Sequence, residues 1–272
     1  MNPTTPRIAE FTAPANWRVV DFISDLHLQP CEPQTMQAWE HYMMHTRADA
    51  VFILGDLFEV WVGDDVLTGG EDDGEAARFE LHCSRVLQKT SERCAVFFMH
   101  GNRDFLLGDA GALACGLRLL ADPTAFSFGG QRWLLTHGDA LCLDDTDYLQ
   151  FRARVRSPEW QQAFLAKPLA ERRTIAQGLR SQSEARKRSD ASYADVDTAE
   201  AIRWLQSAGA PELIHGHTHK PADHEPGLGL HRRVLSDWDG AASPARAQVL
   251  RLSLQSGNSR VLVQRLTQAS AF

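Results

Sequence analysis

No apolar run in the 272-residue sequence approaches the roughly 20 residues that a membrane-spanning helix requires. Residues 1–6 lack a basic segment followed by an apolar core, so no signal peptide is predicted. The five cysteines form no CxxC pair, and their odd number excludes complete pairing in disulfides. These absences predict a soluble, cytoplasmic protein whose thiols stay reduced and have structural roles.

The charge of the chain is unevenly distributed. The hydrophobic share of 43% and the charged share of 23% are ordinary for a globular protein, and the length allows one large domain or a domain with an insertion. The net charge is -7, yet residues 152–188 hold ten basic and three acidic residues. This basic segment suggests an anionic partner, such as a nucleic acid, an anionic lipid surface or a phosphorylated substrate. An arginine-rich helix with a solvated face is the alternative interpretation.

Short apolar runs rich in β-branched and aromatic residues alternate with helix-like stretches. The runs are residues 19–23, 51–54, 95–99, 133–136 and 213–214, and each ends at a polar motif. Each run is too short for a helix and is typical of a buried strand. Residues 35–47 and 75–90 have helical patterns. The alternation predicts an α/β fold with a largely buried sheet, in which ligands gather beyond the carboxyl ends of the strands.

Residues 144–208 have a different pattern. Apolar side chains recur there at three- or four-residue intervals with no strand between them, which predicts amphipathic helices. Because these helices interrupt the alternation, we expect a core of residues 16–143 and 209–268 with a helical cap inserted at 144–208. Residues 1–15 contain three prolines and are expected to be loosely ordered.

Five short polar motifs follow the apolar runs in a fixed order. They are Asp25-Leu26-His27, Gly55-Asp56, Gly101-Asn102-Arg103-Asp104, His137-Gly138-Asp139 and Gly216-His217-Thr218-His219. Their candidate metal ligands are two Asp, one Asn and four His, with no Cys, a set that suits divalent manganese, iron or zinc. Two metals that share one carboxylate form a known arrangement for hydrolysing phosphate esters and anhydrides.

Each motif has an ordinary interpretation when it is taken singly. Asp25 and His27 can be a turn residue beside a core histidine, and Arg103 can simply face solvent. In a shared site, however, Asp56 would bridge two cations, and the planar charged fork of Arg103 would suit a phosphate. Asp139 would contact the metal-binding side chains without binding the metal itself. Five motifs in order, each at the end of a predicted strand, favour the shared site.

The set DxH, GD, GN, H and GHxH resembles the calcineurin-like metallophosphoesterases over the chain from Asp25 to His219. The long phrases that continue from Asp56 and Asp104 resemble the UDP-2,3-diacylglucosamine hydrolases within that superfamily. Arg103 stands where the wider superfamily usually has histidine. The resemblance implies a four-layered αββα sandwich with a helical cap. It also implies cleavage of UDP-2,3-diacylglucosamine to UMP and 2,3-diacylglucosamine 1-phosphate in lipid A biosynthesis, by water attack on the α-phosphorus.

The resemblance implies two divalent metal ions, with manganese expected. One ion would be held by Asp25, His27, Asp56 and His219, and the other by Asp56, Asn102, His137 and His217. These ligands and Arg103 form the predicted catalytic set. The implied substrate contacts are Asn102, Arg103, Asp145, Ser183, Lys187 and His217. The spacing to Asp195 is one residue shorter than in the family, so Lys187 and Arg188 both remain candidates for the basic contact.

The predicted cap would offer apolar surface to acyl chains and basic residues to the cytoplasmic face of an anionic inner membrane. Such a surface contributes roughly 1 kcal/mol per nearby Lys or Arg, so peripheral association is expected. A nucleic-acid partner is disfavoured because aromatic residues suited to base stacking are sparse in the basic segment. Two alternatives remain, namely another hydrolase of the superfamily, such as a nucleotide pyrophosphatase or phosphatase, and a non-catalytic scaffold on the same fold. The sequence indicates no protein partner.

Overall fold

The computed structural model describes residues 6–69, 74–188, 195–255, 260–267 and 270–271, with the side chains of 181–188 excepted. The strands, numbered β1 to β12 in chain order, are Ala9–Thr12, Val19–Ile23, Ala50–Leu54, Ala95–Met99, Arg118–Leu120, Thr124–Phe128, Gln131–Thr136, Glu212–His215, Ala222–Gly227, Leu230–Val234, Gln248–Leu254 and Val261–Thr267. The helices, numbered α1 to α7, are Pro33–His45, Glu75–Ser91, Asp109–Cys115, Thr146–Val155, Pro158–Leu165, Leu169–Arg188 and Thr198–Ala208.

Two six-stranded sheets pack face to face. One has the strand order β1-β6-β7-β8-β10-β9 and the other β12-β11-β2-β3-β4-β5. Phe22, Phe52, Phe126 and Trp133 are fully buried in the apolar layer between the sheets. Helices α1, α2 and α3 cover the outer face of the second sheet, and α7 covers the first. The predicted four-layered αββα fold is therefore confirmed.

The five predicted strands are present as β2, β3, β4, β7 and β8, and the two predicted helices as α1 and α2. The pairs β2–β3, β3–β4 and β7–β8 are parallel. Their carboxyl ends therefore lie at one edge of each sheet, and the polar motifs follow at that edge. The local pattern predicted these strands because their residues are almost entirely buried.

The expectation that residues 1–15 are loosely ordered is wrong for residues 9–12. These residues form β1, which pairs in parallel with β6. The Phe11 ring stacks on Phe126 with centroids 5.9 Å apart and lies 4.8 Å from the Phe97 centroid. Residues 1–5 lie outside the described part of the chain. An aromatic side chain inserted between the sheets thus orders a segment whose prolines suggested a loose end.

Helices α4, α5 and α6 follow the fourth motif, within the region where amphipathic helices were predicted. Helix α7 is packed differently, because its buried Trp204 and Leu205 belong to the same hydrophobic cluster as Leu134 and Leu213 of the first sheet. The division of the chain at residues 144 and 208 stays a prediction. None of the described helices combines the length and the apolar composition that crossing a bilayer requires.

Arginines of α4 to α6 and the α4–α5 turn form ion pairs with carboxylates of the acidic core. The pairs are Arg152 and Arg156 with Asp139, Arg172 with Asp65, Arg173 with Glu80, and Arg180 with Glu59. Arg172 is itself buried and also donates to the carbonyl of Val62 at 2.5 Å. Five of the ten basic residues in the segment 152–188 therefore form ion pairs with carboxylates outside that segment.

Candidate active site

The seven predicted metal ligands all lie just beyond strand ends. Asp25 and His27 follow β2, Asp56 follows β3, Asn102 follows β4, His137 follows β7, and His217 and His219 follow β8. Strands β2, β3 and β4 belong to one sheet, whereas β7 and β8 belong to the other. Because the sheets are stacked, their adjoining edges bring the two groups of motifs together.

Asp25, His27 and His219 form one cluster, in which a ligand atom from each lies within 4.8 Å of the others. The two Nε2 atoms of His27 and His219 are 3.2 Å apart. Nε2 of His219 lies 3.4 Å from Oδ1 of Asp25, and Nε2 of His27 lies 3.8 Å from Oδ2 of Asp56. The four residues predicted for the first metal are therefore contiguous.

A second cluster forms around Asn102. Its Oδ1 lies 3.1 Å from Nε2 of His137 and 2.9 Å from Nδ1 of His217. Nε2 of His137 lies 3.8 Å from Oδ2 of Asp56, the same oxygen that faces His27. Asp56 thus stands between the two clusters, where a shared carboxylate would have to be.

The electrostatics of the clusters fit cations. Asp25 and Asp56 are buried, and in the ion pairs that the structure describes their partners are imidazoles, with no arginine or lysine. Buried carboxylates without a permanent positive charge are costly, and divalent cations would offset that cost. Burial lowers the pKa of His137, but the charge of Asp56 and other nearby carboxylates outweighs this and raises the pKa to about 9. At His137 the charge of the nearby carboxylates therefore favours the positively charged form.

The backbone of the site is strained. Of the six described non-glycine residues with positive φ, five are predicted ligands: Asp25 (54°), His27 (48°), Asp56 (53°), His217 (67°) and His219 (52°). L-residues rarely adopt this left-handed region, and such strain costs about 1–3 kcal/mol per residue. Strain of this kind clusters at functional sites, where the surrounding structure enforces it. Here the strained residues follow β2, β3 and β8, and all of them belong to the two clusters.

Glycine is required at position 55. Its φ is +89°, and a Cβ added there would lie 2.5 Å from Nδ1 of His137 and 2.7 Å from Cα of Gly101. The same histidine nitrogen donates to the carbonyl of Leu54 at 2.8 Å. Because a carbonyl can only accept, Nδ1 of His137 carries a hydrogen, which leaves Nε2, facing Asp56 and Asn102, as the nitrogen that would bind a metal ion.

Asp104, the last residue of the third motif, is buried and joins two loops of the site. Its Oδ1 accepts the N–H groups of Asp56 at 3.3 Å and Gly101 at 2.9 Å. Its Oδ2 accepts those of Leu57 at 2.7 Å and Phe58 at 3.3 Å. One carboxylate thereby fixes the loop that carries Asp56 to the loop that carries the third motif.

Asp139 fastens the cap to the fourth motif. It is buried, and Oδ2 accepts from the Tyr148 hydroxyl at 2.5 Å and from Nε of Arg152 at 2.7 Å. Burial raises the pKa of Asp139, but Arg152 and other nearby positive charges hold it well below its usual range. The Tyr148 ring stacks near His217, with centroids 6.0 Å apart. The described hydrogen bonds of Asp139 thus anchor α4, and its predicted support of the metal ligands stays a prediction.

Glu59 was given no role by the motif pattern. It is buried, and its Oε2 lies 2.9 Å from Nδ1 of His27. A signal was available, because a carboxylate stands within the otherwise apolar run from Leu57 to Trp61. Charged residues are rarely buried without a partner, so this position called for one.

The predicted substrate contacts outside the metal-ligand set lie in different parts of the structure. Arg103 is largely buried, with Nη1 3.4 Å from Oε1 of Glu59, directly beside the clusters. Asp145 is exposed and caps α4 by accepting the N–H of Tyr148 at 3.1 Å. Ser183 and Lys187 belong to α6, as does the other basic candidate, Arg188, but their side chains lie outside the described part of the chain.

The chain is similar to one protein family and to relatives that share a single name. The family model for calcineurin-like phosphoesterases matches residues 19–221. A UDP-2,3-diacylglucosamine hydrolase of Chromobacterium violaceum is 47% identical over 235 residues, which cover 81% of this chain and 91% of that protein. The proteins of the same name from Cellvibrio japonicus and Xanthomonas axonopodis pv. citri are 44% and 42% identical, covering 80% and 86% of this chain and 90% and 97% of theirs.

Solved structures also resemble the chain. A crystal structure of a single mutant of Vps29 from Entamoeba histolytica aligns with a TM-score of 0.43 and 14% sequence identity, covering 91% of this chain and 98% of that one.

Proposed function

Because this chain belongs to the calcineurin-like phosphoesterases and, within them, to the UDP-2,3-diacylglucosamine hydrolases, we propose that it cleaves the pyrophosphate of UDP-2,3-diacylglucosamine at a site holding two divalent metal ions. The products are UMP and 2,3-diacylglucosamine 1-phosphate, as lipid A biosynthesis requires. The observation that carries the proposal is the meeting of both donor clusters at Asp56, whose Oδ2 lies 3.8 Å from both His27 and His137.

The proposed ligands of the first ion are Asp25, His27, Asp56 and His219. Those of the second are Asp56, Asn102, His137 and His217. Two divalent ions supply Lewis-acid stabilisation of phosphoryl charge and a water nucleophile at neutral pH. The mixture of carboxylate, amide and imidazole donors without thiolate is compatible with manganese, which we propose as the metal.

The remaining chemistry follows from the substrate and from this chain's own side chains. Water attacks the α-phosphorus, and the bond from that phosphorus to the bridging oxygen breaks. The oxygen leaves with the β-phosphate, whose second pKa as a phosphate monoester is about 6, so it departs without a proton at neutral pH. The two protons of the attacking water are released to solvent, because UMP is also a phosphate monoester and is mostly a dianion at this pH. Arg103 lies beside the clusters with a permanent charge, and we assign it to the negative charge of the pyrophosphate.

The cap would provide the lipid contacts. Each of its first three helices carries a partly exposed apolar side chain, namely Phe151 at 37%, Leu165 at 42% and Leu179 at 37%. We assign such surface to the acyl chains, with substrate contacts from Asp145, Ser183 and either Lys187 or Arg188. Peripheral association with an anionic inner membrane is part of this proposal. Binding to anionic vesicles that weakens as salt increases would test it.

A paired substrate assay tests the reaction. The protein with manganese is incubated with UDP-2,3-diacylglucosamine and, separately, with UDP-glucose, and UMP release is measured. We expect cleavage of the lipid substrate only. Equal cleavage of both would instead favour a general nucleotide pyrophosphatase. In ¹⁸O-labelled water the label should enter UMP, whereas label in the lipid phosphate would contradict attack on the α-phosphorus.

A further inference from the structure

We infer that Glu59 is a positioning residue that orients His27 for metal binding and connects it to Arg103 of the third motif and to Arg180 of the cap. The inference rests on the proposed function in one respect, that His27 is a metal ligand. It follows from the contacts of one buried carboxylate with three side chains from three parts of the chain. These are His27 after β2, Arg103 after β4 and Arg180 of α6.

The first contact concerns the imidazole of His27. Oε2 of Glu59 lies 2.9 Å from Nδ1, the distance of an ion pair, although the angle is not that of a hydrogen bond and no other described residue accepts from this nitrogen. A carboxylate facing Nδ1 favours the tautomer that carries its hydrogen there. Nε2 then presents its lone pair toward His219 at 3.2 Å and Asp56 at 3.8 Å. A carboxylate in this position both orients an imidazole ligand and increases its basicity.

The second oxygen of Glu59 faces the arginines. Oε1 lies 3.4 Å from Nη1 of Arg103 and 3.1 Å from Nε of Arg180. Arg180 also donates through Nη1 to Oε1 of Gln29, at 2.9 Å, in the loop that follows His27. Arg180 therefore connects helix α6 of the cap to the loop that carries the first motif. Glu59 is the ion-pair partner of both Arg180 and His27.

Burial makes this arrangement sensitive to substitution. Glu59 is only 7% exposed, so its charge depends on these partners rather than on water. Loss of a carboxylate that orients a metal-binding histidine typically weakens metal binding about 10- to 100-fold. Glutamine keeps an oxygen that can face Nδ1 of His27 but loses the charge. We therefore expect Glu59→Gln to bind metal more weakly than the wild type and more tightly than Glu59→Ala.

Glu80 offers a matched control. It is 6% exposed and pairs with α6 as well, through Arg173 at 3.0 and 2.7 Å. None of its described contacts is with a predicted metal ligand. Glu80→Ala therefore removes a buried glutamate and a tie between α6 and the core, just as Glu59→Ala does, but leaves the surroundings of His27 intact.

The experiment is a titration of the metal-free 272-residue chain with manganese, in which calorimetry measures binding. We expect the Kd of at least one site to rise about 10- to 100-fold in Glu59→Ala, less in Glu59→Gln, and less than about 2-fold in Glu80→Ala. Wild-type binding by either Glu59 variant overturns the inference. An equal loss in Glu59→Ala and Glu80→Ala also overturns it, because the effect is then general to cap docking.

Substrate cleavage is measured separately. If the wild-type protein fails to hydrolyse UDP-2,3-diacylglucosamine, the proposed function fails while the metal titrations still decide the role of Glu59. If hydrolysis is normal and the Glu59 variants bind manganese normally, the role of Glu59 fails alone.

Discussion

Asp104→Asn is the substitution whose effect follows most directly from the contacts. The aspartate has two acceptor oxygens, and each accepts two backbone N–H groups from the loops that carry Asp56 and the third motif. An amide has the same size but only one acceptor oxygen. In either orientation its NH₂ group faces two buried N–H donors, so two hydrogen bonds are lost.

The magnitude follows from those two donors. A buried donor left without a partner costs about 1–3 kcal/mol, so Asp104→Asn should reduce the free energy of unfolding by about 2–6 kcal/mol. The substitution also frees the loop of Asp56, so manganese binding should weaken in the same variant. Urea unfolding of the metal-free protein, followed by tryptophan fluorescence and circular dichroism, measures the first effect. Calorimetric titration measures the second.

Asp49→Asn is the matched control. Asp49 also accepts two backbone N–H groups, from Arg18 at 2.6 Å and Val19 at 2.8 Å, but both point to the single atom Oδ2. An amide oxygen can occupy that position, so we expect a loss below about 1 kcal/mol. Equal stability of Asp104→Asn and the wild type would refute the reasoning, and so would equal losses in the two variants.

Three further predictions test other features of the site, and one of them includes a control substitution on α6. Asp56→Asn should abolish most hydrolysis and lower the bound metal measured by elemental analysis; full turnover at normal metal content would contradict a bridging carboxylate. Gly55→Ala should destabilise the protein by at least about 1–3 kcal/mol, because φ is +89° and the Cβ meets His137. In contrast, Gly178→Ala, in open space on α6, should stabilise it by about 0.5–1 kcal/mol; urea midpoints in the reverse order would contradict this. Asp139→Asn should cost about 1.5–3 kcal/mol and speed proteolysis within α4, whereas unchanged cleavage would show that Asp139 does not anchor the cap.

The parts of the fold that the sequence predicted are those with a strong local pattern. Strands β2, β3 and β4 are buried on both faces, so each appears as a continuous apolar run. Strand β1 alternates between partly buried and exposed residues and is only four residues long. Its structure depends on pairing with β6 and on the packing of Phe11 against Phe126, neither of which a local pattern contains.

Helix α7 illustrates the same limit in the predicted cap. Its apolar spacing is that of an amphipathic helix, as predicted for the whole of residues 144–208. Spacing predicts that a helix has an apolar face but does not say what covers that face. The contacts of Trp204 and Leu205 place α7 against the first sheet, and those contacts depend on the tertiary structure.

The seven candidate ligands were recognisable from sequence alone because the chemistry of a donor atom belongs to its residue type, and because each motif directly follows a strand. The tertiary structure decided how these donors meet. It placed Asp56 between His27, which follows a strand of one sheet, and His137, which follows a strand of the other. It also brought Glu59 into an ion pair with Arg180 of the cap. These contacts join segments far apart in the chain, such as the 151-residue separation of Gln29 and Arg180. Such residues come within hydrogen-bonding distance only through the stacking of the sheets and the docking of α6. Neither of these is encoded in a local pattern, so the sequence by itself did not predict the contacts.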